Sequence, residues 1–262
     1  MMFVVRAVPC VRLIAARRKI RCERSREPEA IGLRGGLQAP PTVGTCSGSC
    51  RRRECVMPIG RLHVITDHRP DRDTLVVVEA ALEAGAPVVQ VRAKALGDRA
   101  LYELTCRVVE LCAARDVTCI VNDRVDVALA AGAHGVHVGA DDLPVAVARR
   151  VLGPDRIVGA TARDPETARA HQAAGASYIG VGPCFATSTK KGLPDPIGCA
   201  GVRAVSAAVT IPVIAIAGVT AGRVSQLVAS GAYGVAVVGA VWDAVDPHAA
   251  VGELVACLDA GA

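Results

Sequence analysis

The sequence predicts a parallel (β/α)8 barrel, the TIM-barrel fold, on two observations. A short motif recurs four times, and eight apolar segments alternate with amphipathic helical segments. Both patterns begin near residue 58 and continue to the end of the chain. We therefore expect a single barrel domain over residues 58–262, preceded by an extension formed by residues 1–57.

The recurring motif is Ala or Ser, then Gly-Ala, two further residues and an apolar segment. It describes a helix that ends at a glycine, a short turn and a buried strand. The four glycines are 47, 43 and 56 residues apart, and each interval accommodates two strand–helix units; they are Gly85, Gly132, Gly175 and Gly231. Four double units favour a closed eight-stranded barrel over the alternative, an open doubly wound sheet.

Eight short apolar segments are predicted as strands and the stretches between them as helices. In the helix predicted over residues 98–115, apolar residues recur at spacings of 3, 4 and 3. Asp164-Pro165 is typical of an N-cap followed by proline at the first helical position. The predicted strands cover residues 62–66, 88–91, 118–122, 135–138, 157–160, 178–181, 212–216 and 234–238.

The extension differs from the barrel in composition. Residues 1–58 contain twelve Arg or Lys and four Glu, whereas the rest of the chain contains 18 basic and 21 acidic residues. Five of the eleven cysteines also lie there, and no helical or strand period is sustained. We expect this basic, cysteine-rich extension to be disordered or absent from the native product, with Met57 as the alternative start.

Composition argues against several functional classes. Nucleic-acid binding needs a basic surplus and stacking aromatics, but the barrel segment is slightly acidic and aromatic residues make up 2% of the chain. The longest uncharged stretch of the barrel segment, 204–222, contains Thr210, Pro212 and Gly218, so it does not predict a membrane span. Scattered cysteines in odd number indicate reduced thiols, and hence a cytoplasmic protein.

Functional residues of such barrels lie at the carboxyl ends of the strands, and strand 2 ends in three polar residues. Gln90, Arg92 and Lys94 alternate with apolar neighbours, which places them on one face. Two cations at the mouth of a barrel need an anionic partner, and phosphate suits them. The alternative for each charge is a surface ion pair.

Carboxylates follow strands 3 and 4. Asp123 ends one and Asp142 follows the other, and adjacent carboxylates predict a Mg²⁺ site whose shell is completed by substrate phosphate. We interpret Asp126 and Asp141 as capping or turn residues. His137 is predicted to be buried within strand 4.

Strands 6, 7 and 8 are followed by hydroxyl-bearing, lysine and small residues rather than by carboxylates. Strand 6 continues into ATSTKK, residues 186–191, whose hydroxyls and lysines suit a loop that closes over phosphate, the alternative being a solvated loop. Cys184 lacks a nearby histidine, so we discount it as a nucleophile. Small residues such as Gly218 and Gly239 expose backbone N–H groups, as in the usual phosphate site of this fold. Two anion sites are therefore predicted.

These motifs resemble the thiamine-phosphate synthase family over nearly all of residues 60–255. The family joins a hydroxymethylpyrimidine diphosphate to a thiazole phosphate, plain or carboxylated, and releases pyrophosphate. The resemblance therefore implies a Mg²⁺-dependent transferase of thiamine biosynthesis. The motifs that carry it are LHVITD at 62–67, Q-x-R-x-K at 90–94, NDRVD at 122–126, GVHVG at 135–139, DDLP at 141–144, GVGP at 180–183, T-x-TKK at 187–191 and IPVIAI at 211–216.

The resemblance also implies roles for the matching residues, in three groups. The pyrimidine diphosphate would be bound by Gln90, Arg92, Lys94, Asn122 and Lys190. One Mg²⁺ per subunit would be ligated by Asp123 and Asp142. The thiazole phosphate would be bound by Thr187, Thr189 and the backbone amides of Gly218, Val238 and Gly239, and Thr161 would be a further substrate contact.

The implied chemistry needs no protein nucleophile. Arg92, Lys94 and Lys190, together with Mg²⁺, would stabilise the charge on departing pyrophosphate. The thiazole nitrogen would then attack the carbocation-like pyrimidine methylene, so proximity and charge stabilisation would carry the rate.

Five positions depart from the usual family residues. Thr161 keeps the usual hydroxyl, whereas Gly239 loses one and leaves only the backbone amide for the phosphate. The departures are Ala140 for Gln, Thr161 for Ser, Arg163 for His, Ala217 for Gly and Gly239 for Ser.

Two alternative functions stay open. A related barrel, the thiazole tautomerase, would not need the paired aspartates or the basic diphosphate set. A non-catalytic barrel would bind a phosphorylated metabolite without turnover. The sequence leaves the oligomeric state open, and a homo-oligomer is compatible with it.

Overall fold

A computed structural model describes residues 59–189 and 192–261, in which eight parallel strands close into a barrel. Each strand pairs with the next and β8 pairs with β1, which confirms the closed barrel over the open sheet. All eight predicted strands are present, with ends within two residues of the prediction. They are β1 (Leu62–Ile65), β2 (Val88–Val91), β3 (Thr118–Asn122), β4 (Gly135–Val138), β5 (Ile157–Ala162), β6 (Tyr178–Val181), β7 (Val213–Ile216) and β8 (Gly234–Val237).

Helices separate the strands and pack on their outer faces. A short helix precedes the last long one, so the described part of the chain has one helix more than the eight predicted. No helix in this part combines the length and hydropathy needed to cross a membrane. The helices are α1 (Thr74–Glu83), α2 (Asp98–Ala113), α3 (Val125–Ala130), α4 (Val145–Leu152), α5 (Pro165–Ala173), α6 (Gly198–Ser206), α7 (Ala221–Val228), α8 (Gly239–Trp242) and α9 (Pro247–Asp259).

The local features that the sequence predicts are present. The four repeat glycines have φ angles of 72–94°, a left-handed conformation that ends each helix before an even-numbered strand. Asp164 caps α5, because its side chain accepts the N–H of Thr167 at 2.9 Å, and Pro165 is the first helical residue. The extension, residues 1–57, lies outside the described residues, and its disorder stays a prediction.

Strand alternation divides the core into two layers. Outward-facing strand residues pack against the helices in one large apolar cluster. Inward-facing residues form a smaller cluster inside the barrel, which consists of Ile65, Val88, Ile120, Ile157, Tyr178, Ile214 and Ala236. Nearer the carboxyl ends of β2 to β5, the inward positions become polar, and these residues line the site: Gln90, Asn122, His137 and Thr161.

Candidate active site

A cavity of about 770 Å³ opens at the carboxyl ends of the strands. Its volume suits one or two small-molecule substrates. It brings together twelve of the thirteen residues predicted for the site; the thirteenth, Lys190, lies outside the described residues. The twelve are Gln90, Arg92, Lys94, Asn122, Asp123, Asp142, Thr161, Thr187, Thr189, Gly218, Val238 and Gly239.

The basic side chains that follow β2 have acidic partners. The Nζ of Lys94 lies 3.0 Å from Oδ2 of Asp123, and Nη1 of Arg92 lies 3.9 Å from Oδ1 of Asp67. Thr66 accepts the N–H of Arg92 and donates to its carbonyl, which joins the ends of β1 and β2. The Lys94 side chain is 55% exposed, so its ion pair is weak enough to exchange for a phosphate.

The two aspartates predicted as metal ligands lie together, Asp123 directly after β3 and Asp142 in the loop after β4. The pKa of Asp142 is raised, first because burial disfavours its charge and then because its carboxyl contacts that of Asp123. Its Oδ2 accepts the N–H of Gly139 at 2.7 Å, which orients the Asp142 carboxyl, and the Asp123 N–H donates to the carbonyl of His137 at 2.8 Å, which fixes the backbone at Asp123. Asp123 also has a left-handed φ of 63°.

Two carboxylates held in contact fit a divalent cation, which would relieve the unfavourable pairing of like charges. Mg²⁺ fits in particular, because it binds through one or two carboxylates and takes its other ligands from water and substrate phosphate. Within residues 59–189 and 192–261, no group of three or more His, Cys, Asp or Glu side chains is arranged to hold a metal. The protein thus offers a partial ligand set rather than a closed cage.

The floor of the cavity is a hydrogen-bonded group of three side chains on β4, β5 and β6. The Nε2 of His137 lies 2.9 Å from the Thr161 hydroxyl, and its Nδ1 lies 2.9 Å from the Tyr178 hydroxyl. Gly180 makes room for it, since a Cβ there would lie 2.8 Å from the imidazole. His63 packs edge-on against Tyr178.

The floor is uncharged at neutral pH. Burial lowers the pKa of His63 to about 3 and that of His137 to about 4, and burial also raises the pKa of Tyr178. His137 lies on β4 as predicted, but it is half-buried rather than buried, because its inward position places it at the cavity. His63 and Tyr178 were missed by sequence reasoning, although their inward positions on β1 and β6 follow from strand alternation.

The ends of β7 and β8 are built from backbone rather than charge. Ala217 and Gly218 have positive φ angles of 74° and 66°. A Cβ on Gly218 would lie 2.7 Å from the Ala186 carbonyl oxygen, so the loop after β6 packs directly on this turn. Helix α8 begins at Gly239, which places the amides of its first turn at the cavity.

Three charged residues join the β1 and β8 ends. Arg69 bridges the carboxylates of Asp67 and Asp243, at 2.6 Å in each case, and both bonds raise the pKa of the guanidinium. Gly239 leaves room for this arrangement, because a Cβ there would lie 2.8 Å from Oδ2 of Asp243. Sequence reasoning missed this bridge, since Arg69 and Asp243 are 174 residues apart.

Three further polar residues near the strand ends lie in different surroundings. Cys184 is buried, and burial raises the pKa of its thiol to about 11, which agrees with discounting it as a nucleophile. Asp126, interpreted as a capping or turn residue, lies in the first turn of α3 and forms an exposed ion pair with Arg124. Asp141, interpreted as a turn residue, lines the cavity.

Comparison with known proteins identifies the family of this barrel. Residues 62–241 match the family described as thiamine monophosphate synthase. Thiamine-phosphate synthases of Salinispora arenicola and Salinispora tropica are each 57% identical over 203 residues, which covers 76% of this chain and 98% of the relative. The solved structure of thiamine phosphate pyrophosphorylase from Pyrococcus furiosus is 36% identical with a TM-score of 0.71, and the match covers 77% of this chain and 96% of that one.

More distant structures show only the fold. A 3-hexulose-6-phosphate synthase is 21% identical with a TM-score of 0.55, and the match covers 76% of this chain and all of that one. The family match covers the whole barrel from β1 to the first turn after β8. On this evidence, the chain belongs to the thiamine monophosphate synthase family.

Proposed function

We propose that this chain condenses 4-amino-2-methyl-5-(diphosphooxymethyl)pyrimidine with a thiazole phosphate, giving thiamine phosphate and pyrophosphate. The observation that carries the proposal is the pair of anion sites within one cavity. One is built from cations and carboxylates after β2, β3 and β4, and the other from backbone amides after β7 and β8. Two phosphorylated substrates bound at these sites would meet at the centre of the barrel mouth.

The first site is proposed to bind the diphosphate. Asp123 and Asp142 would hold one Mg²⁺ per subunit, which when bound neutralises charge on the leaving group. Arg92 and Lys94 bring two more positive charges, which pair with carboxylates in the structure and would also contact oxygens of the diphosphate. Lys190 is proposed for the same role from its sequence position alone.

The pyrimidine ring is proposed to sit against the neutral floor. The Gln90 side chain is 3% exposed and lines the cavity, so its amide would gain partners from the ring nitrogen and amino group. Asn122 and Thr161 extend this polar surface. Because the floor has no net charge, the positive charge that develops on the methylene carbon would be stabilised by the electron-rich ring and the nearby pyrophosphate.

The second site is proposed to hold the thiazole phosphate. The backbone N–H groups of Gly218, Val238 and Gly239 would bind the phosphate, and the hydroxyls of Thr187 and Thr189 would contact the thiazole. The two hydroxyls are already 3.3 Å apart, so the loop presents them together. The thiazole nitrogen would then be held for attack on the methylene carbon, with no covalent enzyme intermediate.

A turnover measurement tests the proposal. The full-length chain with both substrates and Mg²⁺ is expected to form thiamine phosphate, detected by mass spectrometry, together with one equivalent of pyrophosphate. EDTA should stop the reaction. Isomerised thiazole phosphate without pyrophosphate would indicate the tautomerase instead, and binding of both substrates without product would indicate the non-catalytic barrel. Either result would overturn the synthase proposal.

The cellular setting is also a proposal. All six described cysteines are free thiols, which is typical of proteins in a reducing compartment, and we propose the cytoplasm. The partners proposed are small-molecule substrates rather than nucleic acid or membrane. A homo-oligomer is compatible with this site, which the described residues of one chain already enclose.

A further inference from the structure

The basic side chains that line the cavity differ in their partners. Arg92 and Lys94 each lie within 4 Å of a carboxylate. Arg163 and Arg223 also line the cavity, but no carboxylate of the described residues lies within 4 Å of either guanidinium. Each is bonded only to a backbone carbonyl, so each keeps its full positive charge for an anion.

Arg223 is held in place at the second anion site. It lies in the first turn of α7, and its Nη1 donates to the Gly218 carbonyl at 2.6 Å. Its guanidinium carbon lies 4.4 Å from the centre of the Phe185 ring, in a cation–π contact. The side chain is half-buried and oriented from two sides, whereas Arg163 is exposed and bonds the Asp195 carbonyl.

The second anion site lacks another unpaired cation among the described residues. Backbone amides carry no net charge, and the carboxylate of Asp243 lies against Gly239, where it would oppose a phosphate. The nearby Arg69 is already shared between Asp67 and Asp243. A phosphate monoester is a dianion, so amides alone would leave its charge largely uncompensated.

We propose that Arg223 is a phosphate-binding residue of the thiazole-phosphate site. A guanidinium has five N–H donors, and the Gly218 carbonyl takes one, so donors remain for two phosphate oxygens. Through Phe185, the same side chain holds the start of the loop that presents Thr187 and Thr189. This inference rests on the proposed function, because the phosphate is that of the thiazole substrate.

A substrate-by-variant cycle separates phosphate binding from loop positioning. Wild type, Arg223→Gln and Arg223→Lys are assayed with the thiazole phosphate and with the corresponding thiazole alcohol, at saturating pyrimidine diphosphate. Arg203→Gln, an exposed residue of α6, is the matched control for loss of one charge. Melting temperatures verify that each variant folds, and Arg223→Lys serves in place of Arg223→Gln if the latter does not.

The expected loss is selective for the phosphorylated substrate. Arg223→Gln should lower kcat/KM about 30- to 100-fold with the thiazole phosphate and less than about threefold with the alcohol, the range of a lost charge-assisted hydrogen bond. Arg223→Lys should fall between wild type and Arg223→Gln, and Arg203→Gln should match wild type. Equal losses with both substrates would assign Arg223 to loop positioning alone and overturn the inference, as would no loss with either.

Binding of inorganic phosphate keeps this test separate from the synthase proposal. Calorimetric titration of phosphate into the full chain should show binding that Arg223→Gln weakens about tenfold or more. If wild type makes no thiamine phosphate but this difference is present, the synthase proposal fails and the phosphate site stands. If wild type is active but the variant binds phosphate equally well, the inference about Arg223 fails.

Discussion

The two halves of the barrel mouth, each proposed to bind an anion, present different chemical groups. After β2, β3 and β4 the groups are charged side chains: Lys94 pairs with Asp123, and the carboxyl of Asp123 interacts with that of Asp142. After β7 and β8 the groups are backbone amides, presented by left-handed turns and by the start of α8. The first half contains carboxylates that would bind a cation and basic side chains that would bind an anion. The second half presents backbone N–H groups in a geometry that a phosphate would fit.

This difference fits the two substrates proposed. A diphosphate that leaves during the reaction gains negative charge, so its site needs mobile positive charge from Mg²⁺ and lysine. A phosphate that only anchors the thiazole keeps its charge throughout, so fixed dipoles and one arginine suffice. Substitutions in the first half should therefore reduce kcat, and those in the second should raise the KM of the thiazole phosphate.

The largest effect is expected at the metal pair. Asp123→Asn removes one of two proposed Mg²⁺ ligands and the partner of Lys94, and kcat should fall about 10³-fold or more. Asp126→Asn is the matched control, because that carboxylate pairs with Arg124 on the surface. Steady-state pyrophosphate release over a range of Mg²⁺ concentrations measures both. Equal activity of the two variants would contradict the assignment of Asp123.

A smaller effect, confined to the thiazole side, is expected from Gly218→Ala. The new Cβ would lie 2.7 Å from the Ala186 carbonyl oxygen in a left-handed backbone, a strain of about 1–3 kcal/mol. The KM of the thiazole phosphate should rise about tenfold, and the KM of the pyrimidine diphosphate should change little. Gly222→Ala is the control, since a Cβ there meets nothing within 4 Å. If Gly218→Ala changed only kcat and left the KM of the thiazole phosphate unchanged, the two halves of the mouth would not differ in the way proposed.

The neutral floor beneath both halves predicts a pH dependence of stability. His137 has a folded pKa of about 4, below its unfolded value of 6.5, so the unfolded chain binds more protons between these values. Its contribution is complete above pH 6.5 and is lost as pH falls, by on the order of 1 kcal/mol per pH unit. Urea unfolding at pH 7.5 and pH 5.5 measures the loss.

A variant tests whether His137 causes this loss. His137→Gln keeps a polar side chain beside Thr161 and Tyr178 but does not titrate. The variant should be less stable than wild type at pH 7.5 and should lose less stability on acidification. His63, with a pKa of about 3, should leave a residual pH dependence in the variant. An unchanged slope would show that His137 is not the group that titrates.

The sequence predicted the first half of the mouth better than the second, for a physical reason. For charged residues at alternating strand positions, such as Arg92 and Lys94, the sequence predicts both where the side chain lies and which chemical group it presents. Every residue except proline has the same backbone amide, so only the small size of residues such as Gly218 and Gly239 pointed to that site. The guanidinium contact of Arg223 depends on a turn and a loop that fold together, which a linear pattern does not contain.

Non-local contacts also limited the prediction of the fold. The repeat glycines and strand segments were predicted to within two residues, because their patterns are local. In α2, however, the buried residues include Thr105 and Cys112, while the apolar Leu104 and Leu111 are only half-buried. The neighbouring strands determine which face of the helix packs against the barrel. Side-chain polarity therefore predicted the position of the helix in the sequence more accurately than the face that it buries.

The smallest effect is expected where the two halves are linked by surface charge. Asp243→Asn removes a carboxylate beside Gly239 and frees Arg69 from one of its two partners. The Asp243 side chain is 64% exposed, so the KM of the thiazole phosphate should fall only about two- to fivefold, and less in high salt. The KM of the pyrimidine diphosphate should change less, because Asp67 still pairs with Arg69 and lies near Arg92.

Asp246→Asn serves as the control for lost negative charge, since that exposed residue caps α9. A rise in the KM of the thiazole phosphate would mean that Asp243 supports the phosphate site through Arg69 instead of opposing it, and the second half would then depend on side-chain charge as the first does.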